Sequence, residues 1–313
     1  MQLGFALPFA GSWATPENQV TIARRAEELG YASVWVAQRL LYALEPRNPY
    51  PSAPGPAWPA PFESVFDPGV SLAHVAGATR KIRLGTATLV AVYTPPVLLA
   101  KQLAALDIVS DGRLDVGLSI GWSADEYEAC GLPFAERGAR FDEYLGCLQA
   151  LWGDDPVEFS GRFYAVPRAV FQPKPRQRPR PPILLGGYAP AAIRRAGAVA
   201  DGYIGGNVPL GQVVPLVEEL RGAVAAAGRD PASFRIISRG SVRLLDEPLA
   251  GDDRRPLWGT LDQIRSDVDR YRAAGLDELF FELNFDPAVG SRTADAKASM
   301  AKALLLLDEF AAG

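Results

Sequence analysis

The sequence predicts an α/β fold, a (β/α)8 TIM barrel with insertions after the second and fourth strands, and three observations carry that reading. Short apolar, β-branched runs alternate with longer amphipathic stretches, the pattern produced when parallel strands are covered by crossover helices. Eight such pairs can be counted along the 313 residues. No linker or internal repeat divides the chain, so residues 1–313 read as a single barrel domain.

The predicted strands are residues 3–7, 33–36, 82–87, 114–119, 183–185, 202–204, 235–242 and 278–283, each of ordinary strand length. The first helix opens at Thr15-Pro16-Glu17, where Thr can cap, Pro suits the first turn and the acid faces the positive end of the dipole. Gly30 ends it. Asp67-Pro68 opens the second helix in the same way. Thr94-Pro95-Pro96 opens the third, which runs through Lys101 and Leu106 to a turn at Asp111-Gly112 that feeds strand four.

Two segments interrupt the alternation. Residues 42–61 hold Pro46, Pro49, Pro51, Pro54, Pro56, Pro59 and Pro61 together with Tyr and Trp, a composition that forbids helix and predicts an ordered loop. It follows strand two, so Tyr42, Glu45, Arg47 and Trp58 are placed as lid residues over the C-terminal face. Residues 157–182 read as a hairpin followed by a basic, proline-rich run, which is either an extended strap leading into strand five or a ligand-type arm; the strap is preferred.

Composition excludes several classes. Apolar residues are 48% and charged residues 22%, globular values, and no apolar run approaches the ~20 residues of a membrane span. The start, Met1-Gln2-Leu3-Gly4-Phe5, enters a strand without a basic region or cleavage site, which predicts a cytoplasmic protein. A net charge of −4 argues against a nucleic-acid partner and leaves a small-molecule substrate as the expected one. Cys130 and Cys147 show no metal-type spacing, so no metal site and no disulfide is expected.

In such a barrel the site lies just beyond the strand ends. Those ends read Gln38-Arg39, Thr86-Ala87-Thr88, Ser119-Ile120-Gly121-Trp122 and Gly186-Gly187-Tyr188, the last running into the start of a helix. Small residues before a helix start let a phosphate approach free backbone N–H groups, although Gly-Gly serves equally for a tight turn. Trp122 either walls a pocket or packs the barrel top. Gly205-Gly206-Asn207 is a second small-residue end, closer to plain turn chemistry. The acids Asp125, Glu126 and Glu128 read as a solvated helix face.

Several motifs in order then resemble the luciferase-like monooxygenase superfamily. They are Ile82-Arg83-Leu84-Gly85-Thr86, Pro96-Val97-Leu98-Leu99-Ala100-Lys101-Gln102-Leu103-Ala104-Ala105-Leu106-Asp107, and Ser110-Asp111-Gly112-Arg113-Leu114-Asp115-Val116-Gly117. Gly121-Trp122 with Glu126-Tyr127, Pro133-Phe134-Ala135-Glu136-Arg137-Gly138-Ala139-Arg140, Asp142-Glu143 and Ala200-Asp201-Gly202-Tyr203 continue the match. Within the superfamily the chain resembles the deazaflavin (coenzyme F420)-dependent oxidoreductases. The resemblance implies a cofactor at the barrel mouth, its ring against strand three and held by Thr86, Ala87, Thr88, Ser119 and Gly121, with a non-proline cis peptide at Ala87-Thr88. It implies phosphate binding at Gly186, Gly187 and Tyr188, and a homodimer, while Gln38, Arg39 and Trp122 are the candidate catalytic residues by their place at the strand ends. FMN is the alternative cofactor, in a monooxygenase on the same scaffold, and a non-catalytic flavin-binding barrel is a third reading. Many relatives carry an acid followed by His after strand two, where this chain has Gln38-Arg39, and its one histidine, His74, lies inside the second helix on a packed or surface face. Arg39 is therefore expected to stabilise negative charge rather than to act as a base.

Overall fold

The computed structural model describes every residue except Ala53, Pro54, Pro56, Asn207, Asp252, Asp253, Ala312 and Gly313. The sequence-level readings that involve Pro54, Pro56 and Asn207 lie outside the described residues.

The barrel strands are β1 (Gln2–Ala6), β2 (Ser33–Val36), β3 (Arg83–Thr86), β4 (Leu114–Ser119), β5 (Ile183–Leu185), β6 (Gly202–Gly206), β7 (Arg235–Ser241) and β8 (Glu278–Glu282). Each pairs in parallel with its neighbours, β1 with β8 and β3 with β4, so the sheet closes into an eight-stranded barrel and exposes no edge. The expected strand positions hold to within one or two residues, strand three included. Strand three ends at Thr86, the Ala87-Thr88 peptide that follows is cis, as the resemblance implied, and a short strand resumes as Leu89–Val90 against Leu118 and Ser119 of β4.

Thr86 bridges that interruption. Its hydroxyl donates to Gly117 O and accepts from Gly117 N, both at 2.9 Å, replacing ladder bonds that the distorted backbone does not make. A side chain on Gly117 would run into the Thr86 carbonyl, so the crossing requires glycine.

Helix starts follow the local chemistry. The Thr15 side chain accepts from Asn18 N at the head of Pro16–Glu28, and Asp67 accepts from Val70 N at the head of Pro68–Ala78. Pro96–Val109 ends in the Asp111-Gly112 turn, where both residues adopt positive φ. His74 is exposed on Pro68–Ala78, the surface member of the two expected placements. Cys147 is buried, Cys130 half-buried, and both are free.

Alternate residues of each strand point inward, and the lowest layer is ionic. Asp115 and Glu278, both buried, are joined by Arg83 and Arg235, with Arg83 Nη2 at 2.5 Å and Arg235 Nη1 at 2.9 Å from Asp115 Oδ1. Above them Trp35 stacks on Phe280 at 5.2 Å, occupying space that Gly85 leaves free. The barrel floor is thereby filled, and a cavity opens at the C-terminal end of the strands.

Between β4 and β5 lie helices Ala124–Ala129 and Arg137–Trp152 and an antiparallel hairpin, Val157–Ser160 with Ala165–Ala169. The proline-rich run after it is a strap: Arg176 pairs with Asp111 at 2.6 Å, and Gln177 binds Asp107 through its backbone and side chain. No helix among the described residues is long and apolar enough to cross a membrane.

Candidate active site

A cavity of about 300 Å³ opens at the C-terminal end of the strands, at the lower end of the usual ligand-pocket range of ~300–1,000 Å³. Gln38, Arg39, Ala87, Thr88, Ser119, Gly121, Trp122, Gly186, Gly187 and Tyr188 all line it, so strand ends far apart in the chain meet there. Thr86 does not line it, because its hydroxyl is committed to Gly117 and it is 1% exposed.

One part of the wall is small and polar. The Thr88 hydroxyl donates to Ser119 Oγ at 2.8 Å, joining strands three and four above the cis peptide. Gly186 sits where a Cβ would lie 2.9 Å from Ile204 O, and Gly187 has φ +125°, a conformation that disfavours any side chain. They lead into Pro190–Val199, a helix whose first turn has no side-chain cap. The Tyr188 hydroxyl both donates to Gly206 O (2.6 Å) and accepts from Gly206 N (2.7 Å), tying the ends of β5 and β6 together.

The other part is aromatic. Tyr50, Phe62, Trp122 and Phe285 form one cluster, with Tyr50–Trp122 centroids at 5.3 Å, Phe62–Phe285 at 5.4 Å and Tyr50–Phe285 stacked nearly parallel at 6.4 Å. Trp58 packs behind Trp122 at 4.9 Å. The described residues of the loop after β2 thus form an ordered cap, and their hydrogen bonds explain why. Trp58 Nε1 donates to Asn48 O at 2.9 Å, Ala124 N to Asn48 Oδ1 at 2.9 Å, and the Tyr42 hydroxyl to Trp58 O at 3.1 Å. Glu45 is exposed.

The acids after strand four require a correction. Glu128 is solvent-facing, paired with Arg47, but Glu126 is completely buried. Its Oε1 accepts from Leu40 N at 2.8 Å, while Oε2 accepts from the Tyr93 hydroxyl at 3.2 Å and lies 3.2 Å from Arg39 Nη1. Helical spacing alone gave no sign of this, because the partner comes from the loop after β2, more than 80 residues away. Arg39 Nε donates to Gln38 O at 2.7 Å, and the guanidinium lies 4.9 Å from the Trp122 ring. The Arg39 charge is thus balanced by Glu126 as an ion pair, although Nη1 itself makes no hydrogen bond among the described residues. Gln38 is also engaged, its Oε1 accepting from Val90 N at 2.8 Å and fixing the resumed strand beyond the cis peptide.

Two charged residues of the barrel mouth escaped sequence reasoning. Arg239 of β7 lines the cavity, 4.4 Å above the Phe285 ring, with Nη2 donating to the Tyr50 hydroxyl at 3.3 Å. Glu282 of β8 is 1% exposed, and its Oε1 accepts from Asn284 N (2.6 Å) and Nδ2 (2.7 Å). Burial pushes the Glu282 carboxyl up to about 7, against a downward pull from Arg239 and the Asn284 bonds. The signal that could have found them was their register: residues 235, 237 and 239, and 278, 280 and 282, fall on the inward face of strands whose ends form the site.

Residues 1–249 match the family profile described as luciferase-like monooxygenase. The chain belongs to the luciferase-like monooxygenase family. Members of this family are oxidoreductases or monooxygenases, and the present chain is an enzyme of that kind. An FMNH(2)-dependent dimethylsulfone monooxygenase of Pseudomonas putida is 34% identical over 163 residues, 51% of this chain and 45% of that one. The crystal structure of monooxygenase RslO1 from Streptomyces bottropensis superposes with a TM-score of 0.76 at 24% identity, covering 99% of this luciferase-like chain and 98% of its own. An F420-dependent secondary alcohol dehydrogenase in complex with an F420-acetone adduct gives 0.72 at 16% identity, with 98% of each chain covered. These two likenesses establish the barrel; the neighbours between them use F420 or FMN, so a flavin-type cofactor fits the fold.

Proposed function

We propose that the protein is a deazaflavin (coenzyme F420)-dependent oxidoreductase that moves a hydride between the cofactor and a small organic substrate at the barrel mouth. The charge inventory of the cavity supports this reading. No lysine lines it among the described residues, Arg39 is matched by buried Glu126, and Arg239 is stacked on Phe285 and donates to Tyr50. A phosphate at the Gly186-Gly187 turn would thus meet backbone N–H groups and the dipole of a helix start, worth roughly half a positive charge. That suits the singly charged phosphodiester of the deazaflavin better than a phosphate monoester such as that of FMN, which carries roughly −1.5 to −2 at neutral pH.

In this reading Ala87, Thr88, Ser119 and Gly121 flank the ring, Gly186, Gly187 and Tyr188 receive the phosphate, and Trp122 walls the substrate side. The bound cofactor supplies hydride-transfer chemistry at a ring carbon. The chain's own part is to exclude water with the cap built by Tyr50, Trp58 and Phe62 and to hold Trp122 through Arg39, rather than to donate a proton from a histidine. Gln38 acts by holding Val90, and Arg39 by positioning. We also place the enzyme in the cytoplasm as a homodimer, which light scattering after size exclusion would check.

FMN is the second reading, favoured by the FMNH(2)-dependent relative at 34% identity. Side-by-side fluorescence titrations decide: the deazaflavin should bind at least tenfold tighter than FMN, and equal or tighter FMN binding would reverse the assignment.

A further inference from the structure

Arg239 presents a feature that the proposed cofactor contacts do not use. Its Nε is buried and has no hydrogen-bond acceptor among the described residues, although the side chain lines the cavity. A buried N–H of a charged group left without an acceptor is costly, so its presence on a cavity wall points to an acceptor that arrives from the cavity. A Cβ on Gly206 would lie 2.8 Å from Nε, so glycine at that strand end is what lets the guanidinium lie in this position.

The surroundings define what the acceptor is attached to. Phe285 lies beneath the guanidinium at 4.4 Å, with Tyr50 and Trp122 beside it. These rings offer flat apolar surface, while Nε and a neighbouring N–H of a guanidinium form the edge that matches a carboxylate with two parallel hydrogen bonds.

Building on the reading of this cavity as the redox site, we propose that Arg239 anchors the carboxylate of a flat aromatic or conjugated substrate, whose ring lies among Tyr50, Trp122 and Phe285. The buried carboxyl of Glu282, on the inward face of the next strand two residues beyond Phe280, the register partner of Arg239, complements this role. Arg239 is the charged group that acts on it, and Asn284 is its hydrogen-bond partner. With that carboxyl pushed up to about 7, entry of a substrate carboxylate draws a proton onto Glu282, so one negative charge enters without leaving two facing a single arginine.

Benzoate and its neutral counterpart benzamide provide the test, titrated into the purified protein with tryptophan fluorescence and calorimetry as readouts. The wild type should prefer benzoate at least tenfold, with net proton uptake near pH 7 revealed by buffers of different ionisation enthalpy. Arg239→Met should abolish the preference, while Arg239→Lys should retain part of it. Should Arg239→Met fail to fold, Arg239→Gln and the wild-type proton uptake carry the same test. Equal binding of benzoate and benzamide to the wild type, or an undiminished preference in Arg239→Met, overturns the proposal. So does a loss of deazaflavin affinity in Arg239→Met with the benzoate preference intact, since Arg239 would then serve a carbonyl of the cofactor ring. A protein that binds neither deazaflavin nor FMN but keeps the benzoate preference removes the cofactor assignment and leaves this one standing.

Discussion

Replacing Arg39 by Met tests the most consequential pairing at the barrel mouth. The Arg39 side chain is 9% exposed and that of Glu126 is 0% exposed, with 3.2 Å between Nη1 and Oε2. Removing one partner of a buried pair typically costs ~3–5 kcal/mol, because the other charge is left without compensation. Glu126 would keep its bonds from Leu40 N and the Tyr93 hydroxyl, which places the loss near the lower end, at about 3 kcal/mol. Glu126→Gln should cost about 2–3 kcal/mol, since the guanidinium keeps Gln38 O and the Trp122 face. The double variant removes both charges together, and should be more stable than the sum of the single effects by about 2 kcal/mol. Urea unfolding followed by circular dichroism and tryptophan fluorescence measures all three. Additive effects, or an Arg39→Met protein within about 0.5 kcal/mol of wild type, would show that Arg39 is not paired in solution and return it to the role of a free cation expected from sequence.

Thr86→Val keeps the shape but leaves Gly117 N and O without partners, so stability should fall by about 2–4 kcal/mol while the folded protein keeps its cofactor affinity within threefold; a tenfold affinity loss at unchanged stability would place Thr86 in the site instead. Glu282 holds its proton up to about 7 when folded and to about 4.5 when unfolded, so the folded state binds the extra proton between those values and stability falls as pH rises through that window. The loss approaches about 3 kcal/mol, and Glu282→Gln should abolish it, as read from denaturation midpoints at pH 5 and pH 8. Gly187→Ala should lower stability by ~1–3 kcal/mol, because its φ of +125° is strained for any side chain, and should weaken cofactor binding at the same time; wild-type behaviour in both assays would mean the turn can relax.

Much of the fold was legible because its signals are local. Thr15, Asp67 and the Asp111-Gly112 turn act through their own backbone neighbours, so their chemistry reads the same in the sequence as in the folded chain. The positions of the candidate site were legible for a related reason: once the barrel is inferred, the strand ends converge by geometry, and Gln38, Arg39, Ala87, Thr88, Ser119, Gly121, Trp122 and the Gly186-Gly187-Tyr188 turn meet at one cavity.

The sequence by itself therefore determined where strands and helices run and which strand ends meet at the cavity. Tertiary structure decided the electrostatic state of those ends. Glu126 reads as a surface acid until the loop after β2 covers it, and Arg39 reads as a free cation until that same contact matches its charge. Thr86 reads as a ring contact until barrel closure brings Gly117 alongside, and Glu282 as an ordinary carboxylate until the closed barrel removes it from water. Backbone conformation is set by neighbours in the chain, whereas burial and charge pairing are set by groups 30 to 90 residues away, and only the closed barrel fixes which groups those are.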